Sequence, residues 1–129
     1  MKGIQTHIVY VPYLDRADNP AECNIKTGEI RISSELWPLY SEFEQKYIKA
    51  HEQAHFDLQT VLDEIACDEI AFQALAGTEK DSLIQYVKAV EKVAKNDIER
   101  VNAAIKRSLY FAADKGSKEA KKLIKELKL

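Results

Sequence analysis

Residues 41–76 read SEFEQKYIKAHEQAHFDLQTVLDEIACDEIAFQALA, and they decide both the architecture and the chemistry of the chain. Ser41 and Glu44 form the S-x-x-E signature of a helix start, in which the serine hydroxyl accepts from the Glu44 amide and the glutamate reaches back. Phe43, Tyr47, Ala50, Ala54 and Leu58 then recur at helical spacing and predict one apolar stripe. Within that helix lies His51-Glu52-Gln53-Ala54-His55, the pattern H-E-x-x-H. Side chains four apart on a helix are neighbours, about 5–6 Å apart at Cβ, so His51 and His55 can both reach one tetrahedral metal. Glu52 is rotated by about 100° around the helix and can face a water beside that metal instead of the metal itself. Zinc-assisted hydrolysis needs this division of labour: the metal acidifies a water and a carboxylate takes its proton.

Two histidines do not complete a catalytic site, which uses three protein ligands and an open position. Asp57, Asp63, Glu64, Asp68 and Glu69 supply carboxylates just downstream. Glu64 and Asp68 are themselves four apart; either one can ligate while the other orients a ligating histidine through a hydrogen bond. In an unbroken helix Glu64 would lie about 13.5 Å beyond His55 along the axis and on the opposite face. A metal site therefore requires a break near Gln59-Thr60, where the sequence has no glycine or proline but does have Thr60-Val61-Leu62-Asp63, which reads as a second capping box.

Working outward, residues 1–40 hold all three prolines and two of the four glycines. Residues 4–11 (IQTHIVYV) read as a strand, and Cys23–Lys26 and Glu29–Ser33 as a hairpin around Thr27-Gly28. Downstream, Gly77 ends the helical stretch. Thr78-x-x-Asp81 opens a helix with Leu83, Ile84, Val87, Val90 and Val93 inside, Asn96 or Asp97 caps the next, and Gly116-Ser117 precedes a short Lys-rich helix. The expectation is one α+β domain over 1–129: a small N-terminal antiparallel or mixed sheet of about three short strands (1–40), the site helices (41–76), and C-terminal helices (77–129), about five helices in all.

Composition sets limits on function. The chain has 129 residues and a net charge of −2, unlike the strongly basic profile of a nucleic-acid binder. Residues 1–80 carry 7 basic and 14 acidic side chains and residues 81–129 carry 12 and 7, so the acidic excess coincides with the candidate metal site. Two cysteines exclude a disulfide scaffold and favour a reducing compartment. No apolar run is long enough to span a membrane, and the opening residues lack the pattern of a secretory signal; a cytoplasmic location is expected. His7 in the first strand and Cys67 between Glu64 and Asp68 read as structural residues.

On His51-Glu52-x-x-His55 and Glu64-Ile65-Ala66-Cys67-Asp68 the chain resembles the H-E-x-x-H zincin metallopeptidases of the glutamate-ligand branch. Its spacing is similar to that of the smallest members, the minigluzincins, and more loosely to that of the ImmA/IrrE-type peptidases of mobile elements. The resemblance covers about 45 residues, 28–33 and 42–76, with Cys67 where alanine is usual. It implies one Zn²⁺ held by His51, His55 and Glu64, Glu52 as general base, Asp68 as the partner of a ligating histidine, and a peptide or protein substrate added to the sheet near Glu29–Ser33. The metzincin branch is excluded, since no histidine follows within Phe56–Val61 and Met1 is the only methionine. The competing expectation is a zinc-binding, non-catalytic interaction or regulatory module on the same fold.

Overall fold

The computed structural model describes residues 5–129, which form a three-stranded mixed sheet followed by five α-helices, an α+β architecture. The chain divides into two compact units, residues 1–75 and 76–129.

In the first unit β1 (His7–Val11), β2 (Ala21–Cys23) and β3 (Glu29–Ser33) assemble in the order β1-β3-β2. β1 runs parallel to β3, with Ile8 beside Ile30 and Tyr10 beside Ile32, and β2 runs antiparallel to β3, with Cys23 beside Ile30. Alternation along β3 buries Ile30 and Ile32 and leaves Arg31 half-buried. Of the strand expected over 4–11, residue 4 lies outside the described residues. The hairpin differs from the reading of the sequence: its first strand is Ala21–Cys23, not Cys23–Lys26. Asn24 N still donates to Glu29 O at 2.8 Å, but the Asn24 side-chain oxygen accepts from the amides of Lys26 and Thr27 at 2.9 and 3.2 Å and turns the chain before residues 25 and 26 can pair. β3 is the central strand, paired on both sides, and among the described residues β1 and β2 are the edges of the sheet.

A single-turn 3-10 helix (Trp37–Leu39) leads into α1 (Glu42–Leu58). The Ser41 capping box is formed in full: the hydroxyl accepts from Glu44 N at 3.1 Å and the Glu44 carboxylate accepts from Ser41 N at 2.7 Å. α1 buries Phe43, Tyr47, Ile48, His51, Ala54 and His55. The buried stripe is thus rotated toward the histidines, with Ala50 half-buried and Leu58 exposed where the chain leaves the helix. α2 (Glu64–Leu75) packs back against α1 and contributes Cys67, Asp68, Ala71, Phe72 and Leu75 to the core.

The second unit is a run of three helices, α3 (Ser82–Val93), α4 (Ile98–Asp114) and α5 (Lys118–Leu127), each packed on the next. Asp97 caps α4 through Arg100 N and Ser117 caps α5 through Ala120 N. Thr78-x-x-Asp81 does not form the expected cap: Asp81 is left-handed and caps nothing with its side chain, while the Ser82 hydroxyl accepts from Gly77 N at 2.9 Å. Among the described residues, no helix is long and apolar enough to cross a membrane.

Gly28 fixes the junction of β3 with β1. Its φ is +77°, a Cβ there would lie 2.8 Å from the Gln5 carbonyl oxygen, and its own carbonyl accepts from His7 N at 2.9 Å. Gly28→Ala is expected to lower the melting temperature by roughly 5–10 °C, combining a left-handed penalty of about 1–3 kcal/mol with the clash. Gly116→Ala, at φ +98° with nothing within 4 Å of a Cβ, is expected to cost less, and thermal melts of the two variants check the order.

Candidate metal centre

The break between α1 and α2 creates the site. α1 ends at Leu58, and Gln59 caps it with φ 51° and ψ 44°, a left-handed conformation usually left to glycine. Gln59 offsets that strain with its own amide, which donates to Phe56 O at 2.7 Å and to Ile25 O at 3.0 Å and so ties the helix end to the β2–β3 turn. The second start signal lies three residues later than expected. Thr60 does not cap α2; its hydroxyl accepts from the amides of Leu62 and Asp63, both at 3.3 Å, and shapes the connection, while Asp63 caps the helix by accepting from Ala66 N at 3.0 Å. Glu64 is therefore the first residue of α2 and is turned back onto α1.

His51, His55 and Glu64 converge. His55 Nε2 lies 3.1 Å from His51 Nε2 and 2.7 Å from Glu64 Oε1, and His51 Nε2 lies 3.6 Å from Glu64 Oε1. Donors around a tetrahedral ion at 2.0–2.1 Å stand about 3.3 Å apart; two of the three separations are close to this, and the 2.7 Å between His55 Nε2 and Glu64 Oε1 would open by roughly half an ångström around an ion. Both outward-facing ring nitrogens are engaged. His55 Nδ1–H donates to the Thr60 carbonyl at 2.8 Å, and His51 Nδ1–H donates to Asp68 Oδ1 at 2.8 Å. A carbonyl and a carboxylate can only accept, so both rings carry hydrogen on Nδ1 and direct Nε2 lone pairs, in their neutral forms, at the common point. Tyr47 OH donates to the same Asp68 Oδ1 at 2.6 Å. The donor set, its spacing and the fixed ring tautomers together fit a bound metal ion.

The electrostatics agree. Burial works against an imidazolium at His51, but hydrogen bonds to Asp68 and Glu64 and the charges of Glu52 and Asp68 outweigh it and raise its pKa to about 9. The hydrogen bond to Glu64 chiefly raises that of His55. The pocket thus attracts positive charge, as a proton or as a metal. Burial, with Glu64 and Glu52 next in weight, pushes the Cys67 thiol up to about 12, and its sulfur is not among the converging ligand atoms. Burial and then Glu52 push Cys23 up to about 11.

The other carboxylates near the motif stay out of the centre: Asp57 accepts from Gln53 at 3.0 Å and Glu69 from Gln73 at 3.2 Å, and Asp63 is the α2 cap. Half-buried Glu52 adds its charge to His51, His55, Cys23 and Cys67. His7 lies on β1, exposed and 3.9 Å from Glu29. Sequence reasoning missed two groups, the Thr60 carbonyl and the Tyr47 hydroxyl. Tyr47 at the position one turn before His51 is the signal that could have found the second.

His51 contributes to the pH dependence of the metal-free fold. Its pKa is higher folded than unfolded, so its stabilising contribution is complete below about 6.5 and is lost as pH rises through about 9. Chelator-treated protein is expected to melt at progressively lower temperature from pH 6.5 to 9.5, while zinc affinity rises over the same interval because binding must displace that proton; thermal melts with and without chelator measure both. Comparison of the chain with protein-family models, with curated proteins and with solved structures returns no match, so the functional reading rests on this geometry.

Proposed function

We propose that the chain is a zinc-dependent metallopeptidase of minimal size. The observation that carries this reading is the convergence of His51 Nε2, His55 Nε2 and Glu64 Oε1 on one point, with Glu52 beside His51 in the H-E-x-x-H pattern. His51, His55 and Glu64 would hold the ion. When bound, zinc supplies a Lewis acid that makes an adjacent water acidic and polarises a carbonyl. Glu52 takes the proton from the attacking water and delivers it to the leaving amine, the general base turned general acid that peptide hydrolysis requires. Asp68 and the Thr60 carbonyl keep both rings in the ligating tautomer throughout.

The substrate would lie in a groove beside the small sheet. A groove of about 660 Å³ is lined by Glu22 and Cys23 of β2, by the turn that follows, by Glu29 and Arg31 of β3, and by Val61 of the α1–α2 connection. Among the described residues its strand β2 is an edge of the sheet, and an extended peptide backbone can add to such an edge by main-chain hydrogen bonds. The field of Glu52 reaches Cys23 in this groove as well as both histidines, which supports a shared site for base and substrate.

Glu52→Gln tests the mechanism because it keeps the shape and removes the base. The variant is expected to retain one zinc per chain and to lose at least about 100-fold in kcat/KM on unfolded protein or peptide substrates. Activity equal to wild type overturns Glu52 as base. Stoichiometric zinc in the wild type, with a melting temperature that falls on chelation but no turnover, would instead identify a zinc-binding interaction module.

A further inference from the structure

Tyr47 is wholly buried and stands one turn before His51 on α1. Its ring and the His51 ring are 5.8 Å apart between centroids. A buried tyrosine hydroxyl ordinarily finds some acceptor; here the acceptor is informative. Asp68 Oδ1 receives two donors, Tyr47 OH at 2.6 Å and His51 Nδ1–H at 2.8 Å. The tyrosine therefore acts on the atom that fixes the ring of one candidate ligand, across 21 residues of sequence and from the opposite helix.

We propose that Tyr47 is a positioning residue for the metal centre, a role that rests on the zinc reading above. A carboxylate's terminal torsion is broad and two-fold. A second donor on Oδ1 itself, rigidly mounted on α1, narrows it. Oδ1 then stays in line with His51 Nδ1, and His51 Nε2 stays aimed at the point it shares with His55 and Glu64. Because Tyr47 and His51 ride on the same helix, the loop Tyr47–Asp68–His51 is closed: α2 cannot shift against α1 without misaligning the ligand. Partners of this kind usually change metal affinity 10- to 100-fold when removed; Tyr47, one bond further out, falls at the low end.

Tyr47→Phe deletes the hydroxyl and keeps the ring, so packing is conserved. Zinc dissociation constants would be measured by competition with a chromophoric chelator for wild type, Tyr47→Phe, Asp68→Asn and the double variant, with His51→Ala as the ligand-loss control. The expected result is an approximately 10-fold weaker constant for Tyr47→Phe, and a double variant no weaker than Asp68→Asn alone, since the hydroxyl acts through that carboxylate. Unchanged affinity in Tyr47→Phe, or losses that simply add in the double variant, overturns the positioning role, even if the metal-free melting temperature falls. If Asp68→Asn does not fold, the cobalt(II) forms of wild type and Tyr47→Phe decide: weaker binding with an altered visible band supports the role, and an unaltered band overturns it. Wild type that binds no zinc overturns the zinc reading itself, an outcome distinct from wild-type binding that Tyr47→Phe leaves intact.

Discussion

The hydrogen bond from His55 Nδ1–H to the Thr60 carbonyl is the constraint on which the rest of the site depends. It closes the first residue beyond the Gln59 cap onto the last turn of α1, which starts the reversal that brings Glu64 back. Had α1 continued, Glu64 would lie about 13.5 Å away along the axis; instead its carboxylate is 2.7 Å from His55 Nε2. One imidazole thus has two jobs on its two nitrogens, bracing the turn with one and facing Glu64 with the other. A metal held between His55 and Glu64 would stabilise the reversal that assembles its own site, so that binding and local folding are one equilibrium.

What was legible in the sequence follows from how local each cause is. The Ser41–Glu44 box and the four-residue spacing of His51 and His55 are properties of one helix, and periodicity is sufficient to read them. The need for a break before Glu64 was also legible, as a geometric requirement, but not its means. Gln59 is left-handed without being glycine; the backbone bonds of the helix end, Thr60 N to His55 O and Gln59 N to Phe56 O at 3.1 Å, use that conformation, and its side-chain bonds to Phe56 O and Ile25 O hold it, Ile25 coming from a distant turn. Similar logic explains β2. Asn24 took the turn amides with its side chain, which ended the strand at Cys23, and the central place of β3 depends on its parallel pairing with β1, which no local pattern encodes. Tyr47 read only as part of an apolar stripe, because the acceptor for its hydroxyl exists only once α2 has folded back.

The acid-rich composition of the first 80 residues takes on meaning in this geometry. Asp68 is buried against His51, Glu64 faces both imidazoles, and Glu52 adds its field. Two carboxylates in contact with two neutral rings leave a charge of −2 at the centre. A divalent cation would neutralise it, while one proton on His51 compensates half. The carboxylates that raise the pKa of His51 are also groups that would favour a bound cation.

Cys67 shows how the donor set is kept to nitrogen and oxygen. It is fully buried on α2 between Glu64 and Asp68 in sequence, where a thiolate would be the softest donor near the centre and would favour softer metals. Burial together with the negative groups around it pushes its pKa to about 12, so the sulfur remains a neutral, apolar part of the core. The sulfur also lies outside the group of converging ligand atoms, which are those of His51, His55 and Glu64. What remains is two imidazoles and one carboxylate, which is the donor combination that hydrolytic zinc uses when its fourth position is left to water.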